Sequence, residues 1–145
     1  MAKVDLHIHT TASDGKHSPA EIVRKAVESG LEVIAITDHD TIEGIPPAIE
    51  AAKNYSSLRL IPGVELSTDT NGGEIHILGY FIDYTDREFK ASLETMRNSR
   101  VVRARKMVEN LLKLGVRLDW EDRKSTRMNS VTSAHLVCRL LLEKK

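Results

Sequence analysis

Two histidines one residue apart, His7 and His9, stand in a short β-prone run at the amino terminus. Side chains two apart on a strand project from one face, so both imidazoles and the Asp5 carboxylate should lie together. Burying such groups without partners would cost about 1–3 kcal/mol for each group. A metal ion is a suitable partner, because neutral imidazole is a common ligand of zinc, manganese and iron. The alternative for the pair alone is surface or hydrogen-bonded histidines on an edge strand.

Further groups with ligand chemistry occur within or directly after other strand-like segments. Asp14 follows in a turn, a buried strand predicted at 33–37 leads into Asp38-His39-Asp40, and Glu65 and His76 lie in two later apolar strands. Charges are rarely buried unless they are paired or metal-bound, and active sites of α/β proteins collect at strand ends. We therefore predict one metal site, with Glu65 as a bridge between cations. The candidate residues for this site are His7, His9, Asp14, Asp38, His39, Asp40, Glu65 and His76.

The elements that must position these groups read β-α-β-α-β-β-α. Ser18-Pro19-Ala20-Glu21 is typical of a helix start, and Gly30 is typical of a helix end. A second helix is predicted between Gly44 and Lys53, and a long amphipathic helix is predicted at 86–114. Between these two helices, strands are predicted at 60–66 and 75–82, joined by an Asn71-Gly72-Gly73 turn. The turn predicts a hairpin for the last two strands. Alternating strands and helices predict an α/β fold with a mostly parallel sheet or barrel.

Composition narrows the class of protein. The chain has 145 residues, a formal net charge of zero and one cysteine. No global electrostatic attraction to nucleic acid or membrane is expected, and no signal or membrane-spanning run is visible. A single cysteine excludes an internal disulfide framework and suits a reducing compartment, so we expect a cytoplasmic protein.

The motifs resemble those of the PHP (polymerase and histidinol phosphatase) domain of metal-dependent phosphoesterases. They are His7-x-His9, Asp14-Gly15, Thr37-Asp38-His39-Asp40, Gly63-Val64-Glu65 and His76. The strings at 5–10 and 36–41 are most similar to the branch with 3′,5′-nucleoside bisphosphate phosphatases and short-RNA 5′-exonucleases. The resemblance implies a PHP-type distorted (β/α)7 barrel, of which this chain holds the amino-terminal half.

The resemblance also implies individual roles. His7, His9 and Glu65 would hold one metal, Glu65 and His76 would help hold a second, and Asp14 with His39 would help hold a third. The implied catalytic set is His7, His9, His39 and Glu65. Such a cluster activates a water for in-line attack on phosphorus. We expect divalent ions, manganese first, with iron, zinc and magnesium as alternatives, because these ligands accept several cations.

Five further residues have candidate supporting roles. Asp5, Asp38 and Asp40 are predicted to orient imidazoles by accepting the second ring N–H, although Asp40 is equally suited to cap the turn after it. Arg100 interrupts the apolar stripe of the long helix, and it either clamps a substrate phosphate or extends to solvent from the rim. His135 is either a phosphate contact or a helix cap or surface residue.

The carboxyl-terminal residues depart from the family pattern. We predict residues 1–122 as the amino-terminal part of a PHP domain and 123–132 as an atypical junction without periodicity. Residues 133–145 resemble the family's inserted helical region. Relatives continue further and supply later ligands, so each metal is expected to lack one ligand here. An open sheet edge is also expected, through which copies of the chain could self-associate.

The predicted function is hydrolysis of phosphate monoesters or diesters of nucleotides or short oligonucleotides. One alternative is a metal-binding PHP fragment or regulatory module without activity. Another is a histidinol-phosphatase-like domain or a polymerase-associated exonuclease domain. Manganese-stimulated phosphate release that depends on His7 and His9 would favour the active phosphoesterase over the inactive metal-binding fragment.

Overall fold

The computed structural model describes residues 3–70 and 73–114. The elements are β1 (Val4–Ile8), α1 (Pro19–Glu28), β2 (Val33–Ile36), α2 (Ile45–Ala52), β3 (Arg59–Thr70), β4 (Gly73–Tyr80) and α3 (Arg87–Lys113). Their order confirms the predicted α/β class. The predicted junction at 123–132 and the segment at 133–145 lie outside the described residues, as do Asn71 and Gly72 of the predicted turn.

The four strands form one sheet in the order β1-β2-β3-β4. β1 pairs with β2 and β2 with β3 in parallel, whereas β3 and β4 form the predicted antiparallel hairpin. β3 is longer than the predicted 60–66 because it pairs with β4 from Gly63 opposite Tyr80 to Thr70 opposite Gly73. The hairpin therefore carries Glu65 and His76 on neighbouring strands.

Local signals account for the ends of α1. The Ser18 hydroxyl accepts a hydrogen bond from the Glu21 backbone N–H at 3.3 Å, and the Glu21 carboxylate accepts from the Ser18 N–H at 2.8 Å. This reciprocal pair satisfies two N–H groups that the first helical turn leaves free. Gly30 has a φ of +69°, the left-handed conformation that commonly follows a helix end.

A single apolar cluster packs the helices on the sheet. Its fully buried members include Val23 of α1, Ile34 and Ile36 of β2, and Ile45 and Ala48 of α2. Burying an aliphatic side chain of this size contributes about 1.5–3 kcal/mol. The core fixes the carboxyl ends of β1 and β2, which is where the predicted ligands begin.

The chain divides after Ser99 into two compact units. In the first unit, α3 buries Leu93; the described part of the second is the continuation of α3 and Leu114. There Val108 is buried and Met107 is half exposed. None of the described helices is both long enough and apolar enough to span a membrane.

Candidate metal centre

The end of β1 brings two imidazoles to one carboxylate oxygen. The strand ends at Ile8, so His9 follows it, and the pairing with β2 shifts register between Asp5 and Ile8. His7 Nε2 lies 2.8 Å and His9 Nε2 lies 2.9 Å from Glu65 Oε2. The structure thus brings the His-x-His pair together, although only His7 lies within the strand.

The hairpin supplies Glu65 and His76. Ser67 lies directly opposite His76 in the register, and Glu65 lies opposite Leu78, so Glu65 and His76 are diagonal neighbours on one face. His76 Nδ1 lies 2.6 Å from Glu65 Oε1. Glu65 is only 3% exposed, which makes it the buried centre of the cluster.

His39 is held beside Glu65 by the backbone. An isolated parallel bridge joins the two residues: Asp40 N–H donates to the Glu65 carbonyl at 2.9 Å, and Glu65 N–H donates to the Asp38 carbonyl at 3.2 Å. His39 Nε2 lies 3.7 Å from Glu65 Oε2 and 3.9 Å from Asp14 Oδ2. The His39 ring nitrogen therefore faces the carboxylates of both Glu65 and Asp14.

The donor atoms form three overlapping groups that fit metal ions. They are His7 with His9 and Glu65, His9 with Asp14 and His39, and His39 with Glu65 and His76, each with its ligand atoms within 4.8 Å of one another. His9 Nδ1 is buried and makes no hydrogen bond within the described residues, yet it lies 3.0 Å from Asp14 Oδ1. Ligand atoms at about 2.0–2.2 Å from one cation lie about 3 Å apart, so this misaligned pair suits coordination better than hydrogen bonding.

The protonation states favour ligation. Burial lowers the pKa of His39 below its ordinary value, so its imidazole is neutral near pH 7 and has a lone pair free. Burial alone would raise the pKa of Glu65, but the His7 hydrogen bond, the attraction of His39 in its protonated form and the His76 hydrogen bond outweigh burial and lower that pKa. Glu65 is therefore an ionised carboxylate among imidazoles.

The three aspartates predicted to orient imidazoles make other hydrogen bonds. The Asp5 carboxylate is exposed and accepts from the His7 backbone N–H at 3.2 Å, and it belongs to none of the three ligand groups. Asp38 accepts from Thr10 and Ser13, and Asp40 accepts from the Ser67 N–H at 3.0 Å. Asp5 thus contacts the backbone of a histidine, and Asp38 contacts the loop that follows His9; the hydrogen bonds described for these two carboxylates include none to an imidazole ring. Asp40 is thereby linked to β3, and its roles as an orienting residue or a turn cap stay predictions.

Three polar residues that the sequence did not single out belong to this support. Thr10 and Ser13 donate to Asp38, and the Ser67 hydroxyl lies 3.4 Å from His39 Nδ1. Ser67 stands two residues after Glu65, so strand parity was the signal that could have found it. Hydroxyls in a turn carry no comparable signal, which left Thr10 and Ser13 unassigned.

The chain matches the family model described as the PHP domain over residues 5–137. The chain belongs to the PHP domain family. A 5′-3′ exoribonuclease of Haemophilus influenzae is 42% identical to this PHP domain over 133 residues, which is 92% of this chain and 48% of that protein. A 3′,5′-nucleoside bisphosphate phosphatase of Chromobacterium violaceum is 34% identical over 116 residues, covering 80% of this chain and 40% of that protein.

A solved structure supports the same fold. The match is a Bifidobacterium adolescentis protein described as a metal-dependent phosphoesterase, with 29% identity and a TM-score of 0.72. The alignment covers 89% of this chain and 44% of that one. This PHP domain spans about half the length of the curated relatives it matches, and its sheet corresponds to part of the family's barrel.

The two predicted phosphate contacts remain predictions. Arg100 lies in α3, but its side chain is outside the described part of the structure, and His135 lies wholly outside it. The six predicted metal ligands, in contrast, all fall within the three groups of this PHP domain.

Proposed function

We propose that this PHP domain hydrolyses phosphate monoesters or diesters of nucleotides or short oligonucleotides. The observation that carries the proposal is a buried carboxylate, Glu65, with nitrogens of four imidazoles within 3.7 Å of its oxygens. Relatives named for exoribonuclease and nucleoside bisphosphate phosphatase activities support the substrate class. Two such activities share one chemistry, the cleavage of a phosphoester bond at a nucleotide.

The position and exposure of each residue indicate its role in the proposed site. His7, His9, Asp14, His39, Glu65 and His76 would hold the metals, which when bound activate water and neutralise phosphoryl charge. The His7 side chain is 50% exposed whereas that of Glu65 is 4% exposed, so the centre opens to solvent beside His7. A phosphate ester would approach from that side, with ionised Glu65 beneath it.

Three finer assignments belong to the same proposal. We assign manganese as the resident metal, because mixed imidazole and carboxylate ligands without thiolate suit it, with iron, zinc and magnesium as alternatives. A cytoplasmic location is supported by the single cysteine, which needs no oxidising compartment. Self-association is supported by the outer strand β4, where Ile75 and Ile77 are about half exposed. Light scattering of the chain across concentrations tests the last point.

The test is release of inorganic phosphate from a 3′,5′-bisphosphorylated nucleoside in the presence of Mn²⁺. We expect release by the wild type and its loss in the His7→Asn/His9→Asn double variant. His17→Asn is the matched control, because His17 lies outside the three ligand groups and should keep full activity. A 5′-phosphorylated trinucleotide in a parallel assay separates phosphatase from exonuclease action.

Two outcomes would contradict the proposal. Release that persists in the double variant would show that the chemistry takes place elsewhere. No release from any of the proteins, with Mn²⁺ still bound by the wild type, would leave metal binding without phosphoester hydrolysis. Because His17→Asn carries the same chemical change as the double variant, its retained activity excludes a general effect of replacing histidine.

A further inference from the structure

A buried carboxylate next to the metal centre makes no contact with the predicted ligands' rings. Asp38 is 1% exposed. Its Oδ1 accepts hydrogen bonds from Thr10 N–H at 2.7 Å and from the Ser13 hydroxyl at 2.6 Å, and its Oδ2 accepts from the Thr10 hydroxyl at 2.7 Å. Three neutral donors from one loop therefore converge on a single charge. Hydrogen bonds to a charged group are shorter and stronger than neutral ones, so the loop is held firmly.

The loop held in this way is the one that carries two ligands. It leaves β1 at His9 and includes Asp14. Thr10 is its pivot, because the Thr10 carbonyl accepts the N–H groups of Ser13 at 3.1 Å and Gly15 at 2.8 Å. The Thr10 hydroxyl also accepts the Ala12 N–H at 3.0 Å. Fixing Thr10 therefore fixes the residues on both sides of it, from His9 to Asp14.

The start of α2 packs tightly against the Asp38 carboxylate. A Cβ atom on Gly44, at the start of α2, would lie 2.8 Å from Thr10 Oγ1 and closer still to Asp38 Oδ2. Helix α2 thus begins directly against the carboxylate, and only glycine permits this approach. The next residue after Asp38 is His39, so one short segment carries both the anchor for the loop and a ligand that faces it.

We propose that Asp38 is a positioning residue that creates the metal group of His9, Asp14 and His39. By holding the Thr10–Gly15 loop against the end of β2, it brings His9 and Asp14 towards the imidazole of the residue that follows it. The proposal deepens the proposed function and rests on its metal centre. It assigns Asp38 no contact with metal or substrate, and it predicts that the group of His39, Glu65 and His76, which uses no residue of the loop, persists without it.

The first measurement is calorimetric titration of the metal-free chain with Mn²⁺. We expect Asp38→Ala to weaken binding of the ion between His9, Asp14 and His39 by about 10- to 100-fold, the range for partners that orient metal ligands, while the ion of the His39, Glu65 and His76 group binds as in the wild type. Asp14→Ala should produce the same loss. Combining the two changes should add little, because both remove the same group.

Two variants separate positioning from a general loss of stability. Asp38→Asn keeps an acceptor for Thr10 N–H and Ser13, so it should restore part of the lost affinity. Val23→Ala shortens a fully buried core residue of α1 and should lower stability without changing Mn²⁺ stoichiometry. If Asp38→Ala fails to fold, Ser13→Ala removes only one of the three donors and should show a smaller weakening of the same ion.

The second measurement needs no metal. Amide hydrogen exchange at Ser13 and Gly15 reports the hydrogen bonds of the loop, and we expect exchange about tenfold faster in Asp38→Ala, as for a lost charged hydrogen bond. Unchanged exchange, or Mn²⁺ binding equal to the wild type, would refute the positioning role alone. Failure of the wild type to bind Mn²⁺ would refute the metal centre and this proposal with it.

Discussion

Replacing Glu65 by glutamine removes one charge from the centre and changes little else in shape. Glu65 belongs to two of the three ligand groups, and its oxygens face His7 and His76 across hydrogen bonds of 2.8 and 2.6 Å. Glutamine keeps one oxygen, but it places an NH₂ group where the second ring nitrogen approaches. Both groups that use Glu65 should therefore lose a metal ion, whereas the group of His9, Asp14 and His39 should keep its ion.

The size of the effect follows from linkage. An ion present at 100 times its dissociation constant stabilises the folded state by about 2.7 kcal/mol. Losing two such ions should remove about 5 kcal/mol of the stability that Mn²⁺ adds to the wild type. Without metal, the substitution should lower the free energy of unfolding by less than this, because the imidazoles keep one neutral acceptor and regain access to water.

Urea unfolding with and without saturating Mn²⁺ measures the difference directly. Glu50→Gln on α2 is the matched control, since Glu50 and its ion-pair partner Lys53 are both exposed and such pairs contribute little to stability. The control should gain as much stability from Mn²⁺ as the wild type. An equal gain in Glu65→Gln would refute the assignment of Glu65 as the shared ligand.

Two further effects are expected. A Cβ on Gly15 would overlap the His9 carbonyl group, so Gly15→Ala should cost about 1–3 kcal/mol in urea unfolding and weaken Mn²⁺ binding. Gly79→Ala, where a Cβ meets only ordinary contacts, should do neither, and equal effects of the two changes would contradict this. The pKa values of His39 and Glu65 are lowered from 6.5 and 4.5, so the metal-free unfolded chain binds more protons. The stability that these two groups contribute is therefore present above their ordinary pKa values and is lost as the pH falls through their lowered values in the folded chain. His39→Asn should make the free energy of unfolding depend less steeply on pH between pH 7 and 5, and an unchanged slope would contradict this.

Much of the fold was predictable because its signals are local. The Ser18 and Glu21 pair at the start of α1 and Gly30 after its end are defined by residues a few positions apart. The hairpin followed from a glycine-rich turn between apolar strands. Its length was underpredicted, because pairing with β4 extends β3 through polar residues whose strand character depends on the partner.

The clustering of the candidate ligands was predictable for a different reason. Titratable residues in apolar strands are costly unless they share a partner, and parallel strands bring their carboxyl ends to one edge. That argument correctly grouped His39 with Glu65, which the backbone joins as a bridge. It did not show that Asp5 lies outside the three ligand groups, where its carboxylate accepts the His7 backbone N–H.

The supporting contacts were not predictable from the sequence. Asp38 is 28 residues from Thr10 and 25 from Ser13, and nothing in a Thr-Ser turn indicates which distant carboxylate it will reach. Only the packing of α2, which begins against Asp38 at Gly44, decides that geometry. Orientation of ligands is thus a property of the folded core, whereas the choice of ligands is visible in the chain itself.

The most direct test of the metal centre is anomalous diffraction at the manganese edge from crystals equilibrated with Mn²⁺. The structure leads us to expect peaks that contact Glu65 together with His7 or His76, and a further peak between His9 and Asp14. Peaks confined to other surfaces of the protein, or none beside Glu65, would contradict the account.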